Sequence, residues 1–67
     1  MQLHQLLRIL NIGTPILLFD IQGIEICRVP SKDFIHVDLY EYPILEISTG
    51  FIDLHKERYG LFITIQK

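Results

Sequence analysis

His36 and Asp38 are the first residues in this chain whose types and spacing suggest chemistry. They are two positions apart, so a strand would place both side chains on one face, where His55 or Glu41 would complete a set of metal ligands. Zinc sites usually show more numerous and more closely spaced His and Cys ligands than this. The spacing is more typical of polar residues on an exposed strand, and we predict no metal site.

Cys27 is a second candidate, as a nucleophile. A reactive thiolate needs a neighbouring base and an electropositive setting, and Arg28 is the one evident activator. Between Ile26 and Arg28 the residue is more typical of a small buried hydrophobe. Because it is the single cysteine, it forms no internal disulfide, and a reducing compartment suits the chain.

Carboxylate pairs are a third candidate, since Glu41 could meet Asp38 or Glu46. General acid catalysis requires a partly dry cleft that shifts a carboxyl pKa, and 67 residues in two layers hardly enclose one. The glycines are spread over turn positions, so no glycine-rich phosphate loop is present. We therefore predict that the protein is not an enzyme and uses no cofactor.

An acidic, aromatic stretch in the middle of the chain favours protein recognition instead. Tyrosines offer large contact area at low entropic cost, and neighbouring acids would attract a basic partner. The alternative is that Tyr40 and Tyr42 cover the core with their hydroxyls in water. The predicted partner-binding residues are Asp38, Tyr40, Glu41, Tyr42, Glu46 and Asp53.

Charge supports this interpretation. The net charge is −2, and the segment from Asp33 to His55 carries five acids and no Lys or Arg. Such a segment disfavours phosphate backbones, and the basic residues elsewhere are scattered. We predict no direct contact with nucleic acid.

The elements that must position these residues begin with a helix over residues 2–10. Leucines spaced at i, i+3, i+4 and i+7 give it one apolar face, and Gly13 with Pro15 ends it. A strand over residues 14–20 follows. The turn at Asp20 to Gly23 leads to a second strand, Ile24 to Val29, and so predicts an antiparallel hairpin.

Residues 31–42 allow two interpretations, a strand through Ile35 to Leu39 or an irregular crossover with a short helical turn. Residues 44–54 then form a strand, residues 55–60 a polar loop, and residues 61–65 a strand that completes a second hairpin. The sequence predicts a single α+β domain over residues 1–67, with one N-terminal helix packed on a four-stranded, mostly antiparallel, twisted sheet.

Size and composition predict a partner. A domain this small buries only about 60% of its unfolded surface, and natural small domains often gain stability by oligomerising. Twenty-two residues are Ile or Leu and none is Ala, so some large apolar side chains should be exposed as an interaction patch. We expect a homodimer. Without a long apolar run or a signal peptide, the expected location is the cytoplasm, with no membrane contact.

Three stretches resemble small phage and prophage proteins of low-GC Gram-positive bacteria. They are Met1-x-Leu3-x-x-Leu6-Leu7-x-x-Leu10-Asn11-x-x-Thr14-x-Ile16, then Phe19-Asp20-x-x-Gly23, then Gly60-Leu61-Phe62-Ile63-Thr64-Ile65. Small acidic phage proteins include inhibitors of bacterial immunity, anti-CRISPR proteins among them. The resemblance therefore implies an accessory protein in the host cytoplasm that inhibits a host protein with a basic surface, such as a CRISPR effector.

Two alternatives remain. A dimer could sequester a nucleotide-like signal if cationic groups from both subunits converged, with Arg28, Lys32 and Arg58 as candidates. The protein could also have a structural or assembly role in the virion.

Overall fold

The computed structural model describes residues 1–53 and 58–67 and shows an α+β fold with one helix and one sheet in that part of the chain. The predicted helix and the four predicted strands are confirmed, with somewhat different ends. Their bounds are α1 (Leu3–Ile9), β1 (Ile16–Phe19), β2 (Glu25–Val29), β3 (Ile44–Asp53) and β4 (Arg58–Ile65).

The sheet has the strand order β2-β1-β4-β3 and is mixed. The pairs β1–β2 and β3–β4 are antiparallel, as the two predicted hairpins require, but β1 and β4 are parallel. The expectation of a mostly antiparallel sheet is therefore wrong. The connection over residues 30–43 carries the chain to the far edge, so β4 returns beside β1 and runs in the same direction.

That connection is a crossover of two single 3₁₀ turns, Lys32–Phe34 and Val37–Leu39. The alternative of a strand through Ile35 to Leu39 is wrong. Ile35 and Leu39 are buried, whereas Val37, which strand alternation would bury with them, is 62% exposed. The turns instead bring Ile35 and Leu39 to the core.

One cluster of buried residues joins these elements. Leu3, Leu6 and Leu7 of α1 share it with residues of β1, β4 and the crossover. Gly13 (φ 93°) and Gly23 (φ 80°) adopt the left-handed conformation that the predicted turns require. The buried residues of the cluster are Leu3, Leu6, Leu7, Ile16, Leu18, Ile35, Leu39, Ile63 and Ile65.

The first residues of the chain pair with the start of β3. Leu3 donates its backbone N–H to Tyr42 O at 3.0 Å, and Ile44 donates to Met1 O at 2.8 Å. Gln5 Oε1 accepts the N–H of Gln2 at 2.8 Å and so fixes the beginning of α1. The N-terminus thus covers the outer edge of β3 at its first residue.

The β3–β4 pair is longer than the sequence suggested. β4 begins at Arg58, so the polar loop expected over residues 55–60 is wrong for Arg58 to Gly60. The rest of that loop, residues 55–57, lies outside the described part of the chain, as does Leu54 at the end of the predicted strand. The register of the β3–β4 ladder shifts at Leu45 and at Ile52. At Gly50 it is regular, and Gly50 pairs directly with Gly60.

Position 60 requires a glycine because neighbouring atoms leave no space for a Cβ. A Cβ added there would meet the Ile52 side chain and lie 2.7 Å from Pro15 O. We expect Gly60→Ala to lower the free energy of unfolding by about 1–3 kcal/mol. At Gly50 an added Cβ would meet only the ring of Phe62, at 2.9 Å. Because that side chain can move, Gly50→Ala should cost less in urea denaturation, and an equal loss would contradict this reasoning.

Candidate functional site

An open groove of about 870 Å³ lies between α1 and the crossover. Leu7, Val37 and Tyr40 supply its apolar surface. Leu7 is buried in the core cluster and Tyr40 packs against it, so this side of the groove is anchored to the core. Val37 is 62% exposed and is available to a ligand.

The charged side chains of the groove come from both of its walls. Arg8 and Lys32 are cationic, while Asp33, Asp38 and Glu41 contribute three carboxylates, so the ring of charge has a net value of −1 with His4 neutral. The acidic run seen in the sequence is thus partly balanced by cations that are distant in sequence. The groove is mildly acidic and of mixed charge.

Polar contacts hold the crossover against the helix. Ser31, only 6% exposed, accepts the Gly13 N–H on its Oγ at 2.9 Å. Lys32 Nζ donates at 2.8 Å to Leu7 O near the end of α1, a carbonyl that also accepts the Leu10 N–H at 3.3 Å. His4 donates its backbone N–H to Tyr40 O at 2.9 Å. Both walls of the groove are therefore fixed in place before any ligand binds.

His36 and Asp38 meet at the rim. His36 Nδ1 accepts the backbone N–H of Asp38 at 3.1 Å and lies 3.3 Å from Asp38 Oδ2. The two side chains are 71% and 84% exposed, so water screens any ion pair between them. This contact shapes the 3₁₀ turn. Among the described residues, no group of three or more His, Cys, Asp or Glu is placed to hold a metal ion.

The structure brings together three of the six predicted partner-binding residues. Asp38, Tyr40 and Glu41 line the groove. Tyr42 instead packs against the core cluster, with Lys67 Nζ 5.5 Å from its ring centroid.

The other two predicted residues lie in β3. Glu46 is exposed and pairs with Thr64, on the sheet face opposite to the core cluster. Asp53 ends β3, and its side chain is outside the described part of the structure. The predicted set is therefore divided between two faces of the molecule.

Sequence reasoning missed the groove residues contributed by the helix, and it named Lys32 of the first 3₁₀ turn only as a candidate for a nucleotide-like ligand. His4 and Arg8 are four apart on α1, a spacing that places them on one helical face and is visible in the sequence. Nothing in the sequence indicated that Lys32 would reach Leu7 O, because that contact depends on the path of the crossover.

The cations proposed for a nucleotide-like signal do not converge within one protomer. Arg28 donates to Glu25 Oε1 at 3.0 Å and to Ile52 O at 3.4 Å, whereas Lys32 is in the groove. In the described residues, no helix is long and apolar enough to span a bilayer.

Ser31→Ala tests the anchoring of the crossover. Loss of the acceptor for Gly13 N–H should lower the free energy of unfolding by about 1 kcal/mol, since water can reach the exposed Gly13. Ser48→Ala, at an exposed strand position, is the matched control and should stay within about 0.5 kcal/mol. Equal effects of the two changes in thermal or urea denaturation would contradict the anchoring role.

Cys27 should be a poorly reactive thiol. Burial raises its pKa, and the nearby Glu25 carboxylate raises it further. Because the native state then keeps its proton to higher pH than the unfolded chain does, this group destabilises the fold as pH rises past the ordinary thiol pKa. We expect the pH midpoint of Cys27 alkylation by iodoacetamide to be higher in the native protein than in urea. A lower native midpoint would contradict the assignment.

Comparison with known proteins adds no assignment. No protein-family model matches the sequence, and no curated protein or solved structure is detectably similar to it. Functional inference therefore rests on the geometry of the groove and on the surface of the sheet.

Proposed function

We propose that the protein binds a basic segment of a partner protein in the groove between α1 and the crossover, without catalysing a reaction. The observation that supports this most is the groove itself, which combines apolar surface from Leu7, Val37 and Tyr40 with an acidic rim. A peptide segment carries both apolar and cationic side chains and so matches both parts.

The groove is preorganised for such a ligand. Ser31, Lys32 and the backbone of His4 fix the crossover against α1, so little ordering is required on binding. The exposed carboxylates of Asp38 and Glu41 would speed the approach of a basic partner and set its orientation. Arg8, on the other wall, would take an acidic or carbonyl group of the same segment.

The partner we infer is a host protein with a basic surface, and the protein acts as an inhibitor of it in the host cytoplasm. The resemblance to small phage and prophage proteins supports this role, as does the acidic rim of the groove. A defence protein that handles nucleic acid, such as a CRISPR effector, has the required basic surface. We also infer that α1 packs across the sheet, which the core cluster shared by α1, β1 and β4 supports. The large apolar side chains left exposed, such as Ile47 and Phe51, support a homodimer.

Charge reversal tests the groove directly. Glu41→Lys changes the rim, whereas Glu46→Lys makes the same change at an exposed residue on the other sheet face. Immobilised wild-type protein would capture the partner from lysates of low-GC Gram-positive bacteria, and mass spectrometry would identify it. In calorimetric titration of the purified partner, Glu41→Lys should weaken affinity about tenfold or more, because like charges then face each other.

Glu46→Lys is the control and should retain wild-type affinity for the same partner. If both variants bound as the wild type does, or if Glu46→Lys were the weaker of the two, the groove would not be the binding site. Circular dichroism of both variants would establish that the fold is unchanged.

A further inference from the structure

The two edges of the sheet differ in how they are protected from pairing with another strand. β2 is short, carries Glu25 and Arg28, and is followed by Pro30. β3 has ten residues, with no proline and no Lys or Arg. β3 has acids at Glu46 and Asp53 and register shifts beside them, but residues 47–51 have no charge and no proline, so in the described part of the chain these five residues form the open edge of the sheet.

The free peptide groups of this edge can be identified. Leu61 donates its backbone N–H to Pro15 O at 2.9 Å, so the odd-numbered residues of β4 direct their peptide groups toward β1. Their partners across the ladder are Ile47, Thr49 and Phe51. In an antiparallel ladder these three residues consequently direct their N–H and C=O groups away from β4.

The side chains along the same edge are apolar and exposed. Ile47 is 45% exposed and Phe51 43% exposed, on the sheet face of the core cluster but beyond its cover. Tyr59 (62% exposed) extends the patch, since its ring lies 4.1 Å from the ring of Phe51. At roughly 200 Å² for a whole large side chain, Ile47, Phe51 and Tyr59 leave on the order of 300 Å² exposed. The largest apolar patch of a typical monomer has about this size and often belongs to a functional surface.

We propose that β3 pairs antiparallel with β3 of a second copy about a two-fold axis at Thr49. Thr49 then faces Thr49 of the partner subunit, and Ile47 faces the partner's Phe51. This register places all three outward-directed residues in hydrogen-bonded pairs, each of which exchanges two backbone bonds. It also packs the two exposed apolar patches side by side on one face of a continuous sheet.

The interface is at the small end of the range for specific contacts. Two patches of about 300 Å² set an upper limit of about 600 Å² on the apolar surface buried, and the paired backbones of residues 47–51 bring the total toward the roughly 1,000 Å² at which specific interfaces begin. The contact is isologous, so it closes at two copies and does not propagate. The blocked edges at β2 become the outer edges of the joined sheet.

Charge and hydrogen bonding select the register. With the axis at Thr49, Glu46 lies opposite Ile52 of the partner subunit, and the two Glu46 carboxylates are far apart. An axis at Ser48 would bring those carboxylates closer. It would also place Ile44 opposite the partner's Ile52, although the Ile44 N–H is already bonded to Met1 O at 2.8 Å.

This inference rests on the homodimer proposed above, but it does not depend on what the groove binds. None of the residues that line the groove belongs to β3 or β4. Glu41→Lys should therefore leave the dimer intact, and Ile47→Lys should leave the groove intact, so failure of one proposal is separable from failure of the other.

Sedimentation equilibrium over a range of concentrations tests the dimer with two matched variants. Ile47→Lys places a charge on the open edge, whereas Ile24→Lys makes the same change at a residue that is 58% exposed just before β2. The wild type and Ile24→Lys should reach twice the monomer mass, and Ile47→Lys should stay monomeric with an unchanged circular dichroism spectrum.

A wild-type protein that stayed monomeric at millimolar concentration would overturn the proposal and leave the edge to a strand of a different protein. A folded Ile47→Lys variant that remained dimeric, or a wild-type mass above that of a dimer, would also overturn it.

Cross-linking tests the register in a Cys27→Ala background. Residues opposed in a hydrogen-bonded pair have Cα atoms about 5.5 Å apart, within the range that a disulfide spans. Thr49→Cys should therefore form a covalent dimer on mild oxidation, while Ser48→Cys, which faces the partner's Gly50 on the other side of the sheet, should not. Preferential cross-linking through Ser48→Cys would overturn the register.

Discussion

The width of the apolar cover over one sheet face is the constraint on which most of this structure depends. The apolar cover comes from side chains of a seven-residue helix and of the crossover, which share one buried cluster with residues of β1 and β4. The cover is sufficient for the central strands, where Ile16, Leu18 and Ile63 are completely buried. It reaches β3 at Ile44, but Ile47 and Phe51 are left nearly half exposed on the same face. The limited width of this cover therefore explains both the buried core at the central strands and the exposed patch on β3.

The opposite face is protected without a second helix. Leu17 is 5% exposed there, and the rings of Phe19 and Phe62 meet edge to face at 6.0 Å. Arg28 of β2 reaches Ile52 O of β3 at 3.4 Å, although two strands separate them in the sheet. Such a contact requires strong curvature, which the close packing around Gly60 permits. The sheet thus covers part of its own outer surface.

Sequence patterns predicted the features that depend on local periodicity and turn chemistry. The spacing of Leu3, Leu6 and Leu7 predicted the buried helical face, and the surplus of large apolar residues predicted an exposed patch. The parallel pairing of β1 and β4 was not predictable, because either strand of the first hairpin can pair with either strand of the second. The position of the patch on β3 followed from that pairing, so it too became visible only in the structure.

The groove shows why a run of like charges in a sequence does not define a one-signed surface. Asp33, Asp38 and Glu41 belong to an acidic segment, but the fold places Arg8 and Lys32 around the same space. A uniformly acidic surface would attract any basic protein and would lose that attraction in salt. A groove with Arg8 on the α1 wall and the three carboxylates on the crossover wall favours one direction of a bound segment, because reversing it would bring like charges together. Selectivity for one partner therefore follows more naturally from the folded arrangement than from the net charge of the chain.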